Sequence, residues 1–215
     1  MPSGFSRSFR EELARVENKQ QCCRLAVAAG LMHTAGSFLI RGGATESERY
    51  EVRLETTIQA GAKLAYSVFK AYGAEGELVA RREPRFQHRL VYEVRLKGDP
   101  PTLQALNEMG VLSDRFELIQ GISRRLIKKG CCRSAFLRGC LIGAGSANAP
   151  QREAHLEITT PHHAFAADLA ALLHVVVGHV ATRNRLAARR QDRQHGLHAA
   201  TFRAFGRRTL ASRHA

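Results

Sequence analysis

Residues 22–37 read Cys22-Cys23-Arg24-Leu25-Ala26-Val27-Ala28-Ala29-Gly30-Leu31-Met32-His33-Thr34-Ala35-Gly36-Ser37. The outline returns 109 residues later in Cys131-Cys132-Arg133, Ala135, Gly139 and Ala144-Gly145-Ser146. Leu54-Glu55 is likewise answered by Leu156-Glu157, at the shorter separation of 102 residues. A unit that recurs at fixed spacing implies a pseudosymmetric fold, because each copy is one supersecondary unit that buries its apolar face against the other. Both copies continue into a Thr-rich strand end and an amphipathic helix, Ala62 to Tyr72 in the first and Ala164 to Leu173 in the second. Two half-domains follow, joined by helices expected near Pro101 to Lys129.

Working outward, Gln21 to Thr34 reads as a helix that is apolar on most sides and therefore central. Its Ala28-Ala29-Gly30 run marks a place where a second backbone comes close. Ahead of it, Ser8 with Glu11 reads as a capping box, and Phe9, Leu13 and Val16 as the apolar side of a short helix. After Gly36, Ser37 to Ile40 and Tyr50 to Thr57 flank the turn-prone Gly42-Gly43. Val52 and Leu54 alternate there with Glu51, Arg53 and Glu55, which reads as a hairpin. Leu78-Val79 and Leu90 to Leu96 form a second hairpin, ended by Gly98-Asp99-Pro100-Pro101. Each unit is thus helix, two strands, helix, two strands.

Two nine-residue runs carry a family resemblance: Ala28 to Gly36, and Leu137-Arg138-Gly139-Cys140-Leu141-Ile142-Gly143-Ala144-Gly145. Both resemble degenerate LAGLIDADG motifs. The resemblance implies that the two helices pack across a pseudo-twofold axis. It also implies that an acidic residue just before the final glycine would hold the divalent ions of a nuclease. Those positions here are Ala35 and Ala144, and a methyl group has no oxygen to offer Mg²⁺. No catalytic residue, metal ligand or cofactor is expected from this pattern, and the chain is read as a non-enzyme.

Phe5-Ser6-Arg7-Ser8-Phe9-Arg10-Glu11-Glu12-Leu13-Ala14, Cys22-Cys23-Arg24 and Cys131-Cys132-Arg133-Ser134-Ala135-Phe136-Leu137-Arg138-Gly139, with Leu156-Glu157-Ile158-Thr159-Thr160, resemble the WhiA family over about residues 5 to 177. That family comprises transcription regulators of sporulation and cell division in Gram-positive bacteria. The resemblance implies a DNA-binding helix-turn-helix domain after the LAGLIDADG-like one, and no counterpart is legible in this chain. The expected fold is α+β, a LAGLIDADG-like tandem repeat of helix-β-β-helix-β-β units with the second repeat incomplete. Residues 1–20 would form an N-terminal helix, 21–99 the first half, 100–130 a helical linker, 131–177 the incomplete second half and 178–215 an irregular basic tail. A truncated or frameshifted member and a natural basic arm both fit that tail.

Composition points the same way. Of 215 residues, 44% are hydrophobic, enough for a substantial core. Five cysteines, two adjacent pairs and Cys140, suit a reducing compartment better than a disulfide framework. With no signal peptide or long apolar run, a cytoplasmic, nucleoid-associated protein without membrane contact is expected. The net charge of +14 favours an anionic partner, because a basic surface gains free energy by releasing counterions. Nine arginines against the single acid Asp192 place +8 of it in residues 178–215.

Candidate phosphate-contacting residues are Arg53, Arg89 and Arg95 on the strands and Arg183, Arg185, Arg189 and Arg190 beyond them. Glu51, Glu55 and Glu93 dilute the field, so a merely solvated sheet surface remains open as the alternative. Cys22-Cys23 and Cys131-Cys132 raise a four-thiolate site across the pseudo-twofold. Zinc ligands are usually spaced by two to four residues, which favours small buried residues at helix starts instead. The histidines His155, His162, His163, His174 and His179 read as solvated or capping groups. The function expected is DNA-binding transcription regulation, with duplex DNA, other regulators of transcription or division, and a second copy of the chain as possible partners. A protein-interaction scaffold is the second reading and a residual endonuclease the third.

Overall fold

A computed structural model of the chain describes residues 4–40, 50–83, 89–149, 155–177, 180–184 and 198–204. Helix α1 (Gly4–Arg15) begins four residues ahead of Ser8, which therefore sits inside the helix rather than capping it. Its Glu11 is used instead by Arg7 one turn earlier, at 2.9 Å. Helix α2 (Gln21–Ala35) buries every residue from Ala26 to Met32, as expected of a helix without a polar face.

Strands β1 (Gly36–Ile40) and β2 (Tyr50–Thr56) pair antiparallel with Gly36 opposite Leu54. Helix α3 (Gln59–Ala71) follows, then β3 (Gly76–Glu83) and β4 (Arg89–Lys97). The sheet order is β1-β2-β4-β3, so β4 returns to lie beside β2. The period of two sorts the strands cleanly. Val52, Leu54, Val94 and Leu96 are buried with the Ala62, Ala65 and Phe69 side of α3 in one continuous core.

Asp99 then caps α4 (Pro100–Glu108), accepting a hydrogen bond from the Thr102 amide at 2.8 Å. The expected helical linker ends there. Gly110 takes a positive φ of 66°, and 111–129 proceeds through turns and an isolated Leu112–Leu118 bridge while still burying Leu112, Ile122 and Leu126. A left-handed residue after Met109 cannot continue a helix, and apolar spacing alone did not reveal that.

Helix α5 (Gly130–Ala144) opens the second half, followed by β5 (Gly145–Ala147), β6 (Leu156–Thr160), α6 (His163–Val177), β7 (Val180–Asn184) and β8 (His198–Ala204). Phe165, Leu169, Leu172 and Leu173 of α6 are buried at helical spacing. The second sheet has the order β5-β6-β8-β7, the counterpart of the first. The expectation of an incomplete second repeat is thereby corrected. β8 pairs with β6 from Leu156–Phe202 to Thr160–His198, and β7 pairs with β8. Strand pairing satisfies main-chain N–H and C=O groups, which Ala, Thr, Arg and His supply as well as Val or Ile. Weak alternation in Val180–Asn184 and His198–Ala204 therefore hid two strands. The α+β class and the tandem LAGLIDADG-like plan stand.

Candidate functional site

α2 and α5 run parallel through the middle of the molecule. A methyl group on Gly30 would overlap the Phe136 carbonyl, one on Gly139 the Val27 carbonyl, and one on Gly143 the Thr34 hydroxyl. The two backbones come into contact at Gly30 and Gly139 because these positions lack a Cβ, and at Gly143 the missing Cβ makes room for the Thr34 side chain. At the far end, Ala35 closes α2 and Ala144 closes α5, each followed by a glycine in extended conformation. The acid positions of the nuclease pattern thus lie side by side and carry methyl groups.

A cation occupies that end. Arg10 of α1 donates from Nε to the Ile142 carbonyl at 2.9 Å and from Nη2 to the Gly143 carbonyl at 2.8 Å. These are orphan carbonyls of the last turn of α5, and a guanidinium there also complements the negative end of the helix dipole. Burial holds the Arg10 pKa below its ordinary value, with Arg7 adding to the effect. Its positive charge therefore lies against the last turn of α5, on the carbonyls of the two residues before Ala144.

On the outer face of the first sheet, Arg53 and Arg95 face each other across β2 and β4, and Glu55 faces Glu93. Like charges directly opposite would be unfavourable, and diagonal pairing resolves them. Glu93, only 1% exposed, meets Arg95 at 2.9 Å, Arg81 at 3.3 Å and Arg53 at 3.6 Å. Arg53 also pairs with Glu51, Arg81 with Glu55 and Glu83, and Arg95 with Glu77. Hydrogen bonding from Arg95, with that arginine's charge, the Arg81 hydrogen bond and the Arg53 charge behind it, outweighs burial and holds the Glu93 carboxyl below its usual range. These three arginines are answered by five glutamates, so the face neutralises its own arginines.

Arg53 and Arg95 are thus brought together, in company that answers their charge internally. Arg81, which sequence patterning did not single out, belongs with them. Its register opposite Val91 places it next to Glu93, and that becomes visible only once β3 and β4 are aligned. Arg89 begins β4 opposite Glu83, and Arg183 lies in β7 opposite Thr201. Arg185, Arg189 and Arg190 lie outside the described residues, as does His179. Of the other histidines, His155 approaches Glu157 at 3.8 Å.

The opposite end of the helix pair carries the four cysteines. Cys22 and Cys23 lie in the first turn of α2, Cys131 and Cys132 in the first turn of α5, and all four sulfurs fall within 4.8 Å of one another. Among the described residues this is the one group of three or more His, Cys, Asp or Glu side chains placed to hold a metal ion. Cys132 is buried and Cys131 is exposed, so the description "small buried residues" fits only part of the set. The usual ligand spacing applies within one segment, whereas these cysteines come from two helices joined by the pseudo-twofold. Burial pushes the Cys23 thiol up to about 11 and the Cys132 thiol up to about 12. Hydrogen bonding from Cys23 holds Cys131 below its ordinary value.

Comparison with known proteins agrees with this architecture. Residues 133–193 match the family model of the WhiA LAGLIDADG-like domain. Over 171 residues the chain is 34% identical to the "probable cell division protein WhiA" of Desulforamulus reducens, covering 79% of this chain and 52% of that one. It is similar in structure to the N-terminal LAGLIDADG domain of DUF199/WhiA, with a TM-score of 0.61 and 14% identity over 95% of this chain and 86% of that one. It is also similar to the homing endonuclease I-DmoI in complex with DNA and Ca, with a TM-score of 0.53 and 15% identity over 84% of this chain and 83% of that one. Both structural likenesses speak to the fold. The chain spans about half the length of the curated relatives it matches. No helix among the described residues is long and apolar enough to cross a membrane.

Proposed function

The chain belongs to the WhiA family, and from that premise we propose that it serves a cell-division and sporulation regulator as a frame that binds duplex DNA without cutting it. The observation that carries this reading is the uneven charge of the two halves. The outer face of the first sheet neutralises its own arginines, whereas residues 178–215, which contribute β7 and β8 to the second sheet, hold nine arginines against one acid. Phosphate contacts therefore come chiefly from Arg183, Arg185, Arg189, Arg190 and their neighbours, with Arg53 and Arg95 acting first as ion-pair partners. Arg89 is a further phosphate contact. Binding of this kind is sequence-independent and places the protein on the nucleoid in the cytoplasm.

Ala35 and Ala144 support a non-catalytic role, since neither side chain offers an oxygen to a divalent ion and Arg10 sets a positive charge on the carbonyl just before Ala144. Sequence-specific readout is left to other parts of the regulator, and the I-DmoI–DNA complex offers only a frame of the same kind.

Duplex binding followed by fluorescence anisotropy across a salt series tests the reading. Log K should fall linearly with log salt, by about 0.9 for each phosphate neutralised. Exchanging Arg189, Arg190 and Arg193 for Gln should lower that slope by about 1 for each phosphate no longer neutralised, while Arg53→Gln with Arg95→Gln should leave it nearly unchanged. Absent or salt-independent binding rejects the proposal in favour of a protein-interaction scaffold, for which the self-neutralised sheet face would be the surface. Cleavage of plasmid DNA with Mg²⁺ by a preparation free of contaminating nuclease rejects the non-catalytic part.

A further inference from the structure

The four sulfurs of Cys22, Cys23, Cys131 and Cys132 lie within 4.8 Å of one another. A tetrahedral zinc ion with Zn–S bonds of about 2.3 Å sets its sulfurs roughly 3.8 Å apart, so the set needs to contract by only about 1 Å at its widest. Cys131 and Cys132 are already at 4.0 Å. A disulfide needs a separation near 2 Å, and iron–sulfur clusters spread their cysteines around several metal atoms. The size of the cage fits one ion.

The helix ends make the same demand. α2 and α5 are parallel, so their positive N-terminal ends stand side by side, yet neither has an acidic residue in its first turn. Neither N-cap residue, Gln20 or Lys129, caps its helix with its side chain. Thiolates in the first turn complement that positive end. Cα–Cβ bonds tilt toward a helix N-terminus, which lets adjacent cysteines on each helix converge beyond its end. Gln20 Oε1 accepts from the thiols of Cys131 at 3.5 Å, Cys22 at 3.6 Å and Cys23 at 3.7 Å, so one side chain lies against three of the four sulfurs; thiolates have no proton to give it, and ligation would turn its amide N–H toward them instead.

We propose that Cys22, Cys23, Cys131 and Cys132 bind a single zinc ion as a structural tetrathiolate site that fastens the N-terminal ends of the two central helices across the pseudo-twofold. Each thiol gives up its proton to solvent as it ligates, and no change of oxidation state is involved. The site is closed, with four protein ligands, so it fastens the halves together and supplies no catalytic position. It stands independently of any DNA binding.

The test uses the 215-residue chain, purified and held under anaerobic, reducing conditions. Metal analysis should find one zinc per chain, and X-ray absorption should show four sulfurs at about 2.3 Å. Cobalt titration should give thiolate-to-metal charge transfer with tetrahedral ligand-field bands. Cys22→Ser combined with Cys131→Ser, one ligand from each helix, should abolish stoichiometric binding, while Cys140→Ala should retain it, because Cys140 lies outside the group. If the double variant fails to fold, the wild-type chain still decides. Its Tm should fall on chelation and return on adding zinc alone. A chain that stays metal-free in excess zinc, a zinc site with nitrogen or oxygen ligands, or unchanged binding in a folded double variant each overturns the proposal.

Discussion

Gly139 of α5 rests directly on the Val27 carbonyl of α2, leaving no room for even a methyl group. The obstacle is backbone on a buried helix, which cannot rotate away as a side-chain tip could. Gly139→Ala should therefore destabilise the fold by about 1–3 kcal/mol or more, despite improving helix propensity. Gly4→Ala, which meets open space, should change stability by less than about 0.5 kcal/mol. Urea unfolding of the two variants compares them. Equal, small effects would contradict the close approach of the helices.

Glu93→Gln removes the carboxylate that Arg53, Arg81 and Arg95 share. Because Glu93 is buried and the arginines are partly solvated, a loss of about 1–3 kcal/mol is expected, reduced by high salt. Folding lowers the Glu93 pKa, first through Arg95, so the unfolded chain binds the proton more readily. The contribution is present above the ordinary carboxylate range and is lost as pH falls through the folded value. Acid unfolding of the Gln variant should lack this component.

His33 stacks on Phe165 with ring centroids 4.9 Å apart and meets Phe136 at 5.8 Å. Burial lowers its pKa to about 4, a backbone hydrogen bond with Gly110 opposing and His162 adding to the shift. The folded state holds a neutral ring that the unfolded chain would protonate below about 6.5. Stability is thus full above that pH and declines as pH falls toward 4, by about 2 kcal/mol at pH 5. His33→Phe should flatten the decline between pH 7 and pH 5 in urea titrations.

Arg10→Met keeps an aliphatic stem but withdraws the donors from Ile142 and Gly143. Charge-assisted hydrogen bonds to buried carbonyls suggest a loss of about 1.5–3 kcal/mol. Amide hydrogen exchange should quicken first in the last turn of α5 and in β5, where the Ser6 hydroxyl also accepts from the Ala147 amide. Uniform acceleration across both halves would show instead that α1 supports the whole core.

The repeat was legible because its defining positions are glycines, alanines and cysteines in a fixed linear order, and those residue types answer a local need for close backbone approach. Helix and strand periods located α2, α3, β2, β4 and α6 to within a few residues. The same signals failed where local pattern is weak. Ser8 looked like a cap until α1 proved to begin at Gly4, and the linker looked helical until Gly110 turned it. β7 and β8 pair through the main chain, so their side chains gave little notice of them.

Sequence by itself determined the pseudo-twofold plan, the family resemblance, the methyl groups at both acid positions and the concentration of arginines beyond residue 178. Each of these is a matter of residue type at a position along the chain. Tertiary structure alone decided that Glu93 gathers three arginines, that Arg10 crosses from α1 to the end of α5, and that two distant cysteine pairs share one small volume. Such relationships depend on sheet register and helix packing, which bring together residues from separate segments, and linear spacing carries no measure of that distance.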